Sequence, residues 1–177
     1  MEKAVLLELR YMHKRLLFLL LFFFFSAQIS AQECKTKALS PMAYFDSSQI
    51  NLTYLHADWQ VDPKVNYITG AITYYFRTSQ LTNKLYFLLA KNLRIDAVLY
   101  HQNSIAYSHD YLNKLQIFLP IAIEANQTDS ITIRYQGVPS RSGFGAFTQS
   151  DHGYGPIIWT LSEPFGSIEW WPSKLSL

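Results

Sequence analysis

The stretch Tyr67-Ile68-Thr69-Gly70-Ala71-Ile72-Thr73-Tyr74-Tyr75-Phe76-Arg77 alternates throughout: Ile68, Gly70, Ile72, Tyr74 and Phe76 point one way, the six residues between and around them the other. A period of two puts each set on one face of a strand, and the β-branched and aromatic content favours an extended backbone over a helix. Upstream, Leu55, Ala57, Trp59 and Val61 alternate with Tyr54, His56, Asp58 and Gln60 across Leu52 to Val61. Asp62-Pro63 breaks the two runs apart, because proline has no N–H to donate and biases its predecessor away from the helical region. Downstream, Lys84 to Leu89 is short and apolar, as for a strand covered on both faces. Leu93, Ile95, Ala97 and Leu99 then alternate with Arg94, Asp96, Val98 and Tyr100. Gln102-Asn103-Ser104 predicts a hairpin turn. Two more alternating runs carry Leu115, Ile117 and Leu119, closed by Pro120, and Ile131, Ile133 and Tyr135. No stretch after residue 31 holds a helical apolar period over ten residues, so the expected fold is all-β, an antiparallel saddle, sandwich or open barrel.

The wider composition agrees with one folded domain. The 177 residues are 49% apolar and 16% charged, which excludes a disordered chain. Four of the 15 bases (Lys3, Arg10, Lys14, Arg15) and two of the 13 acids (Glu2, Glu8) precede residue 32, leaving 11 against 11. A balanced domain lacks the surplus of Lys and Arg that phosphate neutralisation requires, so no nucleic-acid partner is expected. Cys34 is the only cysteine, which excludes an intrachain disulfide and a Cys-rich zinc module.

Residues 1–31 form a signature of their own. Lys14 and Arg15 precede ten apolar residues, Leu16 to Phe25, then Ser26-Ala27-Gln28-Ile29-Ser30-Ala31. That order predicts a signal-peptide helix over 1–31, cleaved after Ala31, with export to the periplasm or the medium. Ten residues make a helix of about 15 Å, half of a bilayer's ~30 Å core, so no stable membrane span is expected once it is removed. Residues 32–50 follow as a leader segment, and 51–177 as the β domain.

Potential ligands and nucleophiles are few. His56 and Asp58, two apart on a strand, share a face and could offer two ligands to a metal, but a solvated polar face explains them without a third. His101, His109 and His152 fall at loops. The chain has no H-E-x-x-H and no G-x-S-x-G, and no metal site is expected within it. Six of the seven Gly, four of the seven Pro and three of the four Trp lie between Gly137 and Leu177, the composition of loops on which function concentrates. There Glu163 stands after a strand-like run and before Pro164. A carboxylate at such a strand end can bind an ammonium, or can simply pair with a neighbouring lysine or cap a turn.

Three blocks in this region carry a resemblance: Gly137-Val138-Pro139-Ser140-Arg141-Ser142-Gly143-Phe144-Gly145, Trp159-Thr160-Leu161-Ser162-Glu163-Pro164-Phe165-Gly166, and Trp170-Trp171-Pro172. Together they resemble the N-terminal domain of zinc aminopeptidases of the aminopeptidase N type, with secreted bacterial members nearest, over about Asn51 to Leu177. The resemblance implies a saddle-shaped β domain forming one wall of a substrate cleft. It also implies that Glu163 binds the free α-amino group of a peptide, together with a second Glu in a G-A-M-E-N segment of the next domain. The zinc ligands, the catalytic base and that segment come later in relatives than the position of Leu177. The chain alone is therefore expected to hydrolyse nothing and to need a catalytic domain as partner. Ser167-Ile168 stands where relatives have Ala-Arg, Ser173 where Cys is common, and Leu161 where many outside this subgroup carry Gln. The alternative is a free-standing exported β-module that binds peptide, protein or glycan through Trp159, Trp170 and Trp171.

Overall fold

The computed structural model describes residues 49–140, 145–162 and 165–174. The signal-peptide expectation for 1–31 and nearly all of the leader segment lie outside them. Among the described residues no helix is long and apolar enough to cross a membrane.

Among the described residues ten strands follow in chain order: β1 (Ile50–Asp62), β2 (Val65–Thr78), β3 (Thr82–Leu88), β4 (Leu93–Tyr100), β5 (Asn103–Ser104), β6 (Tyr107–His109), β7 (Lys114–Ile123), β8 (Thr128–Gly137), β9 (Thr148–Asp151) and β10 (Pro156–Trp159). One 3-10 turn, Gly166–Glu169, comes after them. The strands form a five-stranded sheet in the order β1-β2-β8-β4-β5, a three-stranded sheet β3-β7-β6 and the hairpin β9-β10, all paired antiparallel. The expected all-β fold is the fold found.

The two larger sheets share one core. Ile68, Ile72, Tyr74, Phe76, Ile131, Ile133 and Tyr135 from the first meet Leu85, Phe87, Leu115, Ile117 and Leu119 from the second. The rings of Tyr74 and Phe87 stack 4.7 Å apart across the junction. This is the inward set read from β2, β7 and β8 in the sequence. Each buried aliphatic or aromatic side chain contributes roughly 1.5–3 kcal/mol of transfer free energy, so the shared core dominates the stability of the fold.

Four local expectations need correction. Val98, not Ala97 or Leu99, turns inward on β4, because the β4–β8 register shifts between Ile95 and Ala97 and a bulge reverses the alternation beyond it. The hairpin turn falls at His101–Gln102, with φ of 47° and 68°, and Asn103 pairs with Tyr100 as part of β5. Pro120 lies inside β7 and does not close it; the β3–β7 ladder slips between Thr82 and Lys84, opposite this stretch. β3 is covered on both faces only at its end, where Phe87 and Leu88 are both buried, whereas Lys84 and Tyr86 are half-exposed.

Candidate functional site

Glu163, which the resemblance implies as a substrate ligand, lies outside the described residues, as do Pro164 and 141–144. The structure does fix what surrounds it in the chain. Leu161 N–H donates to the Gly145 carbonyl at 3.3 Å, and Ser162 Oγ accepts from Trp170 Nε1 at 3.0 Å. Gly145 has a φ of +83°, and a Cβ there would stand 2.6 Å from Thr148 Oγ1 and 2.8 Å from the Trp159 ring; only glycine suits both demands. After Phe165, the turn at Gly166–Glu169 docks onto the chain between β3 and β4, where Ala90 N–H donates to the Ile168 carbonyl at 2.7 Å. Gly166 is equally confined: its Cβ would approach Ala146 Cβ to 2.9 Å.

The Trp-Trp-Pro block proves to be an anchor. Trp170 is 8% exposed, and its ring lies 4.9 Å from Trp59, 5.8 Å from Phe147 and 5.8 Å from Trp171. Trp59 comes from β1, more than a hundred residues earlier, and donates from Nε1 to the Tyr135 hydroxyl on β8 at 3.0 Å. Tyr135 in turn crosses Gly70 on β2, its direct ladder partner. Pro172 O accepts a hydrogen bond from the buried Tyr74 hydroxyl. Ser173 exchanges backbone bonds of 2.8 Å in both directions with Leu88. Burial and the neighbouring Tyr135 push the Tyr74 phenol well above its usual value, and burial does the same to Tyr135, so both act as neutral hydroxyls. The described flanks, Ser162 before Glu163 and the Gly166–Glu169 turn after it, are thus each bonded to the rest of the domain. Of the three tryptophans on which an aromatic binding surface would depend, Trp159 is exposed, Trp171 half-buried and Trp170 enclosed.

The histidines take structural positions. His56 Nε2 and Asp58 Oδ2 are 3.2 Å apart in solvent. His109 Nε2 donates to the Leu89 carbonyl at 2.8 Å. His101 Nε2 lies 2.8 Å from Asp129 Oδ1, and Asp129 also accepts from Tyr100 Oη at 2.5 Å and the Ser130 amide at 2.7 Å. These bonds tie the β4–β5 turn to β8. Among the described residues no three His, Cys, Asp or Glu side chains converge as metal ligands, so they do not fit a zinc centre.

Two of these groups make the fold sensitive to acid. Burial works to raise the Asp129 carboxyl, but the bonds from Tyr100, Ser130 and His101, with the His101 charge, outweigh it and leave it below the usual carboxylate range. Burial, aided by Lys91 and opposed by the Leu89 carbonyl and Asp110, lowers His109. For both, the unfolded chain binds protons first as pH falls, so each contributes stability that acid removes. The His109 part declines below about pH 6.5, and the Asp129 part below about pH 4. Urea titrations at stepped pH should show both declines. Asp129→Asn should cost about 1–3 kcal/mol at neutral pH, the size of a charged hydrogen-bond cluster, and progressively less as pH falls below about 4. A cost that stays equal into acid would contradict this account.

No protein-family model matches the chain, and no curated protein does. Solved structures do. A two-domain M1 zinc metallopeptidase bound to L-arginine superposes with a TM-score of 0.62 at 17% identity, over 71% of this chain and 29% of that one. An M1 zinc metallopeptidase from Deinococcus radiodurans, bound to a Tyr-Ser-Ala substrate, gives 0.61 at 16% over the same shares. Native yeast LTA4 hydrolase gives 0.59 at 11%, over 72% of this chain and 21% of its own. The chain thus spans less than a third of the length of these relatives. The fold built by its strands is the fold of the N-terminal domain of M1 zinc aminopeptidases and LTA4 hydrolase.

Proposed function

We propose that this chain is the substrate-cleft domain of an exported zinc aminopeptidase, with Glu163 holding the amino terminus of the peptide. The observation that carries the reading is the superposition of 71% of the chain on 29% of an M1 zinc metallopeptidase. The local chemistry supports it. The residues flanking Glu163 are anchored, Ser162 by Trp170 and Ile168 by Ala90, and a carboxylate carried between them can accept hydrogen bonds from an ammonium. Holding the charged end sets the distance to the first peptide bond, so one residue leaves per event. The zinc and the groups that activate water belong, on this reading, to a catalytic domain outside this sequence.

Two measurements test it. The isolated chain should turn over no aminoacyl-arylamide, with or without added zinc; zinc-dependent turnover would overturn the division of labour. The DNA following codon 177 should hold an H-E-x-x-H frame within a few hundred codons. A stop codon with no such frame would favour the free-standing binding module instead.

A further inference from the structure

β1 closes one side of the five-stranded sheet, with β2 its only ladder partner among the described residues. Its outer rail of backbone N–H and C=O groups is therefore a template for another strand. Soluble proteins blunt such edges with lysine, proline, bulges or a covering segment. The irregularities of β1 sit near its ends, between Leu52 and Tyr54 and between Val61 and Asp62. The regular run from Tyr54 to Val61 contains no Lys, Arg or Pro. Side chains along it are open to solvent: Tyr54 is 61% and Val61 47% exposed.

The run also has a self-complementary charge pattern. His56 and Asp58 project from the outer face, with Ala57 between them. When a second copy of β1 lies antiparallel with the two-fold axis at Ala57, each His56 stands opposite the other copy's Asp58, Tyr54 opposite Gln60, and, on the inner face, Leu55 opposite Trp59. Four alternating ring and carboxylate groups then form a closed square, and an imidazole can donate to a carboxylate in either protonation state. Moving the axis to His56 sets histidine against histidine, and moving it to Asp58 sets carboxylate against carboxylate. Slipping by a single residue places outer-face groups against inner-face groups. Of the registers open to this run, the one centred on Ala57 alone pairs opposite partners. We infer that the β1 edge binds β1 of a second copy of this chain, in antiparallel register about Ala57, to make one continuous sheet across an isologous dimer.

Sedimentation equilibrium of the full chain across the micromolar range tests this. The expected result is a reversible monomer–dimer equilibrium. Asp58→Lys, at an exposed position that leaves the core intact, should raise the dimer dissociation constant by about tenfold or more. His56→Asp combined with Asp58→Lys restores opposite signs across the axis and should return the constant to within about threefold of the parent. Backbone amides of Tyr54 to Val61 that point away from β2 should gain exchange protection on dimerisation. A monomer at every concentration overturns the inference. So does association untouched by Asp58→Lys, which would place the contact on another surface, and so does a double variant as weak as the single one.

Discussion

Gly70→Val should unfold this domain at a temperature roughly 10 °C below the parent, although by strand preference alone the substitution is favourable. Gly weakens a strand interior by roughly 0.5–1 kcal/mol relative to Ala, and Val is among the best strand formers. Against that gain stands the Tyr135 ring, which lies across Gly70 from the paired position on β8. A Cβ at residue 70 would approach Tyr135 Cε1 and Cζ to 2.6 Å and its hydroxyl to 2.7 Å. The ring has nowhere cheap to go: Tyr135 is fully buried, and its hydroxyl is the acceptor for Trp59 Nε1. Overpacking of this kind costs about 1–3 kcal/mol, and loss of the hydrogen bond roughly one more, so the clash outweighs the propensity gain. The net loss, about 1–3 kcal/mol once the strand gain is subtracted, lowers the midpoint by up to about that margin, at roughly 4 °C per kcal/mol for a domain of this size. Thermal melts followed by circular dichroism measure it. The same substitution in a Tyr135→Leu background should cost far less, since the ring it strikes is gone. A variant as stable as the parent would refute the role assigned to the Gly70–Tyr135 crossing.

What the sequence discloses about this fold follows from where one face is buried. On β2, β7 and β8 the inward residues meet a core on one side and solvent or polar neighbours on the other, so alternation survives in the residue types. On β4 it does not, because a bulge after Ile95 adds a residue and turns Val98 inward, and nothing in Ile95-Asp96-Ala97 announces it. The β4–β5 turn needs positive φ at two residues, a task that Asn and Gly signal; His101 and Gln102 perform it without their usual signature. Pro120 reads as a strand end by local rules, and only the slipped β3–β7 register accommodates it within β7. The site was legible as a motif and not as an arrangement. Trp170, Trp171 and Pro172 are conspicuous in the chain, yet what they touch (Trp59 on β1, Tyr74 on β2) comes from strands a hundred residues away, a pairing that no local pattern encodes. The exposure of Trp159 beside the burial of Trp170 is likewise a product of tertiary packing.

Trp170→Ala should be the other severe lesion, and its comparison with Trp170→Phe separates two roles of one side chain. The indole fills the space among Trp59, Phe147 and Trp171, and truncating a buried tryptophan costs about 3–5 kcal/mol through lost transfer energy and the cavity left behind. Phenylalanine keeps much of that packing but has no N–H for Ser162 Oγ, so it should lose only about 1–2 kcal/mol in global stability. Local behaviour should differ from global. Ser162 immediately precedes Glu163, and its hydroxyl bond to Trp170 joins the approach to that carboxylate to the sheet core, while the Gly166–Glu169 turn holds the exit through Ala90. Hydrogen exchange of the amides from Trp159 to Ser162 should therefore quicken in Trp170→Phe by a larger factor than the core amides of β2 and β8, which report global opening. Equal acceleration at both places would mean that the indole acts only as filling, and that Ser162 owes its order to something other than this bond. Trp170 would be a positioning residue if the selective acceleration is observed: it is enclosed among aromatic rings, and its influence on the role proposed for Glu163 would pass through one serine hydroxyl.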